Sequence, residues 1–378
     1  MRENKRALET ATKSQGDNRM QWILRLEELE QAGESPVYFT EYEICSEVRI
    51  PGVFTYGNGM FECSLYQEAD DNNLHTYILK IKHVEKVFEY DESKYSKDGY
   101  YFKEGLVGEI IALFSLYFQA RFYLKAIVTG VMTPNSLRKR MEKKFLYKNN
   151  NDDLTCLNLE MFSNQDRNWS KDNGLSNFLD LISKVDQKYH QSLIRAVHWY
   201  SVAIKEVGVD HELFFIKMVS SIEALLDISK AESDDLEKKL MRFKDRELFS
   251  PDEWSQVKKW LQNRRIRKRF TDFLEKYSNG FSGEIPKEAS HCFIPKNKVS
   301  AYAKRIYDAR SAYLHTGKPM FLSMDMRGDD TKKWDLDPAM GMSVDRIKIS
   351  ETEKLPRTRW FERIVNYSLK SFIASEKH

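Results

Sequence analysis

The apolar residues of this 378-residue chain change period partway along it, and the change limits it to folds that join a sheet to a set of helices. Between Val37 and about Val87 the segments VYFTEYEI, EVRIPGVFTY, MFECSLYQ and HTYILKIKHVEKVF are rich in β-branched and aromatic residues. Pro-Gly, Gly-Asn-Gly and Asp-Asp-Asn-Asn turn signals separate them, so an antiparallel sheet is expected. From Ser176 onward the spacing becomes helical. Leu193, Val197, Tyr200 and Ile204 share one face, and His211–Ile228 is apolar nearly all round, as a helix buried on several sides would be.

Further elements follow from local pattern. Met20–Gln31 reads as a short helix, and Gly105–Val131 as one long buried helix unbroken by proline. Ser136–Lys148 reads as a second, charged helix, with polar breaks at Asn149–Asp153 and Asp166–Gly174. Leu236–Tyr277 is helical in composition, and Ser-Pro-Asp-Glu at 250–253 starts a new segment within it. Asn279–Asn297 reads as a loop. Val299–Thr316 is a helix stopped by Gly317 and Pro319, Asp325–Pro356 is loop-like, and Arg357–Ile373 is a closing amphipathic helix. The expected class is α+β, with a β-rich domain containing helices over 1–170 and an all-α domain over 171–378.

Composition narrows the function classes. The formal net charge is only +3, so any nucleic-acid footprint has to be local. The first twenty residues lack the apolar core of a signal peptide, and no apolar run reaches membrane-spanning length. The longest such run, Ile110–Leu124, carries Gln119 and Arg121, so no membrane partner is expected. Cys45, Cys63, Cys156 and Cys292 are scattered without metal-like pairing and read as free thiols of a reducing cytoplasm. His75, His83, His190, His198, His211 and His291 show no ligand spacing, and no phosphate-cradling glycine loop occurs, so no metal or other cofactor is expected.

The stretch Tyr307-Asp308-Ala309-Arg310-Ser311-Ala312-Tyr313-Leu314-His315-Thr316-Gly317 carries the most chemistry. Arg310 borders the apolar stripe of its helix, where a charge needs a partner or an anion. His315 lies five residues on, and in an ideal helix the two do not share a face. Unwinding before Gly317 would let His315 swing back toward Arg310, and a helix C-terminus favours a protonated imidazole. Arg-x4-His also fits a structural pair, with Arg310 held for packing and His315 as a cap.

Order and spacing together resemble the HEPN superfamily. The segment LIRAVHWYSVAIKEVGVDHELFFIKMVSSIEALLDI is similar to the first two helices of the Apea-like HEPN family, through Arg195, Ala196 and Ile222-Glu223-Ala224-Leu225-Leu226. The resemblance covers roughly residues 180–375, about half of the chain. It implies a metal-independent endoribonuclease that cleaves RNA by attack of a ribose 2′-hydroxyl on the adjacent phosphate. His315 would then move the proton, and Arg310 would hold the phosphate and stabilise charge on its oxygens. It further implies a homodimer in which two motifs face one cleft, single-stranded RNA or tRNA as substrate, and a toxin or anti-phage role. The N-terminal domain would then serve sensing or interaction, with a protein or phage-derived trigger. Ser311 departs from the Asn, Asp or His that many active members carry after the Arg, though it can still donate to a phosphate. The rival readings are a non-catalytic HEPN module for dimerisation or for binding a nucleotide or partner, and a plain scaffold.

Three supporting features stay open on sequence alone. Glu223 is a carboxylate in an apolar helix. It serves either a structural salt bridge or cap, or the orientation of Arg310 or His315, and Arg195 is an equal candidate as its partner. Asp308, two residues before Arg310, faces elsewhere on the helix. Trp254–Thr271 holds seven Lys or Arg and no acid, among them Arg264, Arg265, Arg267, Lys268 and Arg269. That run is either a solvated face or a guide for RNA backbone. Tyr38, Phe39, Tyr42, Phe54, Tyr56 and Tyr66 serve either as a recognition surface or as cross-strand packing.

Overall fold

The computed structural model describes residues 19–32, 38–70, 74–84, 105–129, 174–207, 209–226, 235–246, 248–281, 292–320, 334–336, 343–344, 347–348 and 355–376. The chain groups into two units, Met1–Val209 with Ile373–His378, and Asp210–Phe372. The boundary expected near residue 170, the helix expected over 136–148 and Cys156 lie outside the described residues. The class is α+β, with a five-stranded antiparallel sheet in the N-terminal part and helices toward the C-terminus.

The first unit contains α1 (Gln21–Gln31), β1 (Tyr38–Ser46), β2 (Val53–Tyr56), β3 (Phe61–Gln67), β4 (His75–His83), α2 (Gly105–Phe118), β5 (Phe122–Thr129), α3 (Gly174–Ser183) and α4 (Gln187–Ile204). The strand order is β2-β3-β4-β1-β5. The register runs from Tyr38 opposite His83 to Ser46 opposite His75, so β1 and β4 pair along their whole length. In β4 the period of two is plain: Tyr77, Leu79 and Ile81 are buried while Ile78, Lys80 and Lys82 are not. The β2–β3 turn needs positive φ at Gly57, Asn58 and Gly59. At Gly57 a side chain would also meet Leu26 Cδ1 at 2.6 Å.

Buried Phe114 of α2 contacts Phe54 and Phe122, and Phe118 also contacts Phe122, which seats the helix on the inner face of the sheet. Glu109 of α2 is fully buried and accepts the backbone N–H groups of Gln21 and Trp22, at 3.2 and 3.1 Å. Met20 gives α1 no side-chain cap, so a carboxylate from a distant helix satisfies its first donors. α4 packs on α2 and buries Leu193, Val197, Tyr200 and Ile204, the stripe read from the sequence.

The single helix expected over 105–131 is instead a helix, a turn and a strand. The helix ends at Phe118, and Gln119 takes φ 50°. Arg121 is then anchored by Glu47, which accepts its backbone N–H at 2.9 Å and its Nε at 3.3 Å. The aromatic and β-branched residues that follow pair with β1. The deciding interaction is tertiary: a free edge of β1 gives this apolar run hydrogen-bond partners that its own periodicity does not reveal.

The second unit contains α5 (His211–Glu223), α6 (Asp235–Asp245), α7 (Pro251–Tyr277), α8 (Val299–Thr316), a two-stranded ribbon β6 (Ser343–Val344) and β7 (Ile347–Lys348), and most of α9 (Thr358–Ser375). The ribbon lies in the stretch expected to be loop throughout. The side chain of Asp210 caps α5 by accepting the Leu213 N–H at 2.8 Å. Ser250 and Glu253 form a capping box, with Pro251 in the first turn, so α7 starts where the Ser-Pro-Asp-Glu signal placed it. Phe215 stacks on Phe361, Phe270 meets Tyr307, Phe273 meets Phe372, and Tyr302 meets Trp360. These contacts join α5, α7, α8 and α9 around one aromatic core.

Cys45, Cys63 and Cys292 are buried thiols, none of them in a disulfide. Burial pushes the Cys45 thiol up to about 12. Among the described residues, no helix is long and apolar enough to cross a membrane.

Candidate functional site

α8 is regular through Thr316 and ends on Gly317 in the left-handed conformation, φ 67°, whose N–H bonds to the Tyr313 carbonyl at 3.0 Å. Thr316 Oγ1 also donates back to the Ala312 carbonyl at 2.7 Å. The last turn is thus satisfied, and the unwinding expected to bring His315 back to Arg310 does not occur. Five residues of regular helix separate the two by about 140° around the axis.

Arg310 is half-buried and directed at α5. Its Nη2 donates to Glu223 Oε2 at 2.9 Å, and Tyr307 Oη donates to the other carboxylate oxygen at 3.1 Å. Tyr307 lies three residues before Arg310, hence on the same helix face. The guanidinium carbon sits 5.8 Å from its ring centroid. The side chains of Arg310 and Glu223 keep 19% and 22% of their exposure, so the pair is neither dry nor fully solvated. Burial pushes the Glu223 carboxyl above its ordinary range, against the pull of Arg310 and the Tyr307 hydrogen bond. Burial also raises the Tyr307 phenol to about 12, so the phenol donates at neutral pH. Arg310 Nε is buried with no hydrogen-bond partner among the described residues.

His315 is exposed, and Ser311, next to Arg310, is half-exposed. The structure therefore brings Arg310 and Glu223 together and leaves His315 apart, facing solvent. Arg195, the other partner considered for Glu223, lies on α4 in the first unit. The sequence reading missed Tyr307. Its signal was the three-residue spacing to Arg310 on the face where that charge needed company.

The basic run divides. Arg267 Nη1 donates to Asp308 at 3.0 Å, so Asp308 faces α7 and occupies one of the five arginines and lysines assigned to RNA. Lys268 is exposed and Arg269 half-buried. Arg264 and Arg265 lie within α7, with their side chains outside the described residues. Of the six strand aromatics, Phe54 and Tyr56 belong to the core, whereas Tyr38, Phe39 and Tyr66 are exposed. Among the described residues no three His, Cys, Asp or Glu side chains gather as a metal-binding group.

Comparison of the chain with known protein families, with curated proteins and with solved structures gives no match.

Proposed function

We propose that the helical part of this chain is a HEPN-type endoribonuclease that acts as a homodimer, with Arg310 and His315 as its catalytic residues. The observation that carries the reading is the Glu223–Arg310 contact. The glutamate of the Ile-Glu-Ala-Leu-Leu run holds a guanidinium one and a half turns ahead of an exposed imidazole at a helix end. In the reaction the ribose 2′-oxygen bonds to the adjacent phosphorus as the bond to the 5′-oxygen breaks. The products are a 2′,3′-cyclic phosphate and a 5′-hydroxyl. One imidazole takes the 2′-hydroxyl proton and a second gives a proton to the leaving oxygen. Each chain has one His315, and it diverges from its own Arg310, so a second copy completes both the acid–base pair and the phosphate clamp. Tyr307 and Glu223 are positioning residues that fix the guanidinium.

A second reading is favoured by one observation: Arg310 is already engaged by Glu223. On it, the helices form a non-catalytic HEPN module that dimerises or binds a nucleotide or partner. The two are separated by incubating the protein with single-stranded RNA and tRNA in EDTA. Cleavage that disappears in folded Arg310→Ala and His315→Ala variants supports the nuclease, and cleavage unchanged in them removes this site. A protein that dimerises by light scattering yet cuts neither RNA supports the second reading.

A further inference from the structure

A guanidinium grips an anion at two points along either of two edges, Nε with Nη2 or Nη1 with Nη2. Both edges contain Nη2, and in Arg310 that is the nitrogen donating to Glu223 at 2.9 Å. The Nε of the first edge is buried. A phosphate clamped by Arg310 therefore has two courses. It takes the place of the carboxylate, or it brings a second negative charge onto the same nitrogen. Like charges that close repel, so displacement is favoured. Among the described residues, Glu223 is the one carboxylate in contact with Arg310.

The setting of Glu223 lets it yield. The pair is half-buried, so an anion from solvent can reach it. Glu223 is also the last residue of α5, at the helix end where the backbone dipole disfavours a negative charge. Burial pushes its carboxyl above the ordinary range, against the pull of Arg310 and the Tyr307 hydrogen bond. Tyr307 Oη donates to Oε1, the oxygen that Arg310 does not use. A carboxylate that has lost Arg310 thus still has a donor at 3.1 Å. The contact has two satisfied states, one with the carboxylate on both partners and one with it on Tyr307 alone.

We propose that Glu223 is a built-in competitor for Arg310: it occupies the guanidinium in the free protein, and RNA phosphate binds there by displacing it. The proposal rests on the ribonuclease reading and names a control on its phosphate-holding residue. The engagement of Arg310 by Glu223 is then the closed state of the site. The carboxylate that keeps the guanidinium in place before RNA arrives is the group that RNA has to remove. A glutamate that serves only to orient Arg310 predicts the opposite sign, because its loss loosens the clamp.

The test uses the full chain with fluorescein-labelled 2′-O-methyl single-stranded RNA, which cannot be cut by 2′-attack, and reads binding by anisotropy. Glu223→Gln keeps an oxygen for Arg310 and removes only the charge. Glu275→Gln, at an exposed position of α7, removes the same charge elsewhere in the second unit, and circular dichroism checks the fold of each variant. Glu223→Gln is expected to tighten RNA binding at least about fivefold, and Glu275→Gln less than about twofold. In an Arg310→Ala background Glu223→Gln is expected to change nothing. Unchanged or weaker binding in folded Glu223→Gln overturns the proposal. So does an equal gain in Glu275→Gln or without Arg310, and so does RNA bound by neither wild type nor Glu223→Gln. If Glu223→Gln does not fold, Tyr307→Phe decides, because it keeps the competing charge and frees its second oxygen for Arg310. Weaker RNA binding in that variant supports the competition, and unchanged or tighter binding overturns it. Cleavage of unmodified RNA in EDTA is read separately. A chain that cuts no RNA but gains affinity in Glu223→Gln only when Arg310 is present keeps the competitor and loses the nuclease. A chain whose cleavage needs Arg310 but whose affinity ignores Glu223→Gln keeps the nuclease and loses the competitor.

Discussion

Glu223, the last residue of α5, and Arg310, in the fourth turn of α8, are joined by a hydrogen-bonded ion pair of 2.9 Å, while Tyr307 holds the second carboxylate oxygen. The carboxylate is divided between two donors, so it meets the guanidinium through one nitrogen only, and Nε has no partner among the described residues. Removing either charge strands the other in a half-buried site. Glu223→Ala and Arg310→Ala are each expected to lower stability by about 2 kcal/mol, with a coupling of about 1 kcal/mol in the double variant. Urea unfolding of the four proteins measures both quantities, and additive losses would show that the ion pair contributes nothing of its own.

Tyr307→Phe removes one hydroxyl from the same site. The freed carboxylate oxygen can then turn to the second nitrogen of Arg310, giving a two-point contact that holds the guanidinium more firmly. If Arg310 engages RNA phosphate, this variant is expected to weaken RNA binding several-fold while leaving the unfolding midpoint within about 1 kcal/mol of wild type. Weakened binding without the loss of fold separates a positioning residue from a packing one.

His315 makes the opposite case. Its side chain is exposed and the helix end around it is satisfied by Gly317 and Thr316. His315→Ala is therefore expected to leave stability within about 0.5 kcal/mol of wild type. On the nuclease reading it lowers the cleavage rate at least a hundredfold, in line with the usual contribution of a general acid or base. A large loss of stability would mean that the imidazole is structural.

These contrasts mark what sequence can carry. The capping box at Ser250, the stop at Gly317, the stripe through Leu193 and Ile204, and strands β1 to β4 depend on neighbours a few residues away, and local pattern reveals them. Phe122–Thr129 was hidden, because only the edge of β1 makes that run a strand. The partner of Glu223 was open among Arg310, His315 and Arg195, and the packing of α5 on α8 decides for Arg310. Tyr307 and Asp308 were harder. Tyr307 lies between two helices, donating to Glu223 of α5 and packing on Phe270 of α7, whereas Asp308 accepts from Arg267 of α7, and such contacts depend on how three helices meet.

The cap that Glu109 places on α1 yields a prediction about long-range order. Two backbone N–H groups end on one fully buried carboxylate, and α1 has no local cap to replace it. Glu109→Gln keeps the shape but loses the charge, with an expected cost of about 1–2 kcal/mol. Glu109→Leu should cost more, since it leaves buried donors unpaired. Amide hydrogen exchange is expected to rise at Gln21 and Trp22 first. Protection there unchanged in Glu109→Leu would show that the carboxylate does not anchor the helix.

His83 gives the pH dependence a sign. The imidazole, at the end of β4, is buried with Nε2 2.8 Å from Thr40 Oγ1 on β1. Burial, with nearby Arg25 adding to it, lowers its pKa to about 4. The unfolded chain binds this proton near pH 6.5, so between those values the unfolded state carries more protons than the folded one. Stability from this residue is full above about pH 6.5 and is lost as pH falls toward 4. Asp335 acts in the other direction. Burial holds its carboxyl up at about 6, so its contribution declines as pH rises through that value. The two overlap, and the wild-type curve alone does not separate them. Thermal unfolding of His83→Gln against wild type from pH 7.5 to 4.5 does, because only the histidine part is removed. The difference between the two midpoints is expected to shrink steadily as pH falls, the variant losing less than wild type. A constant difference across that range would mean that His83 does not titrate with folding.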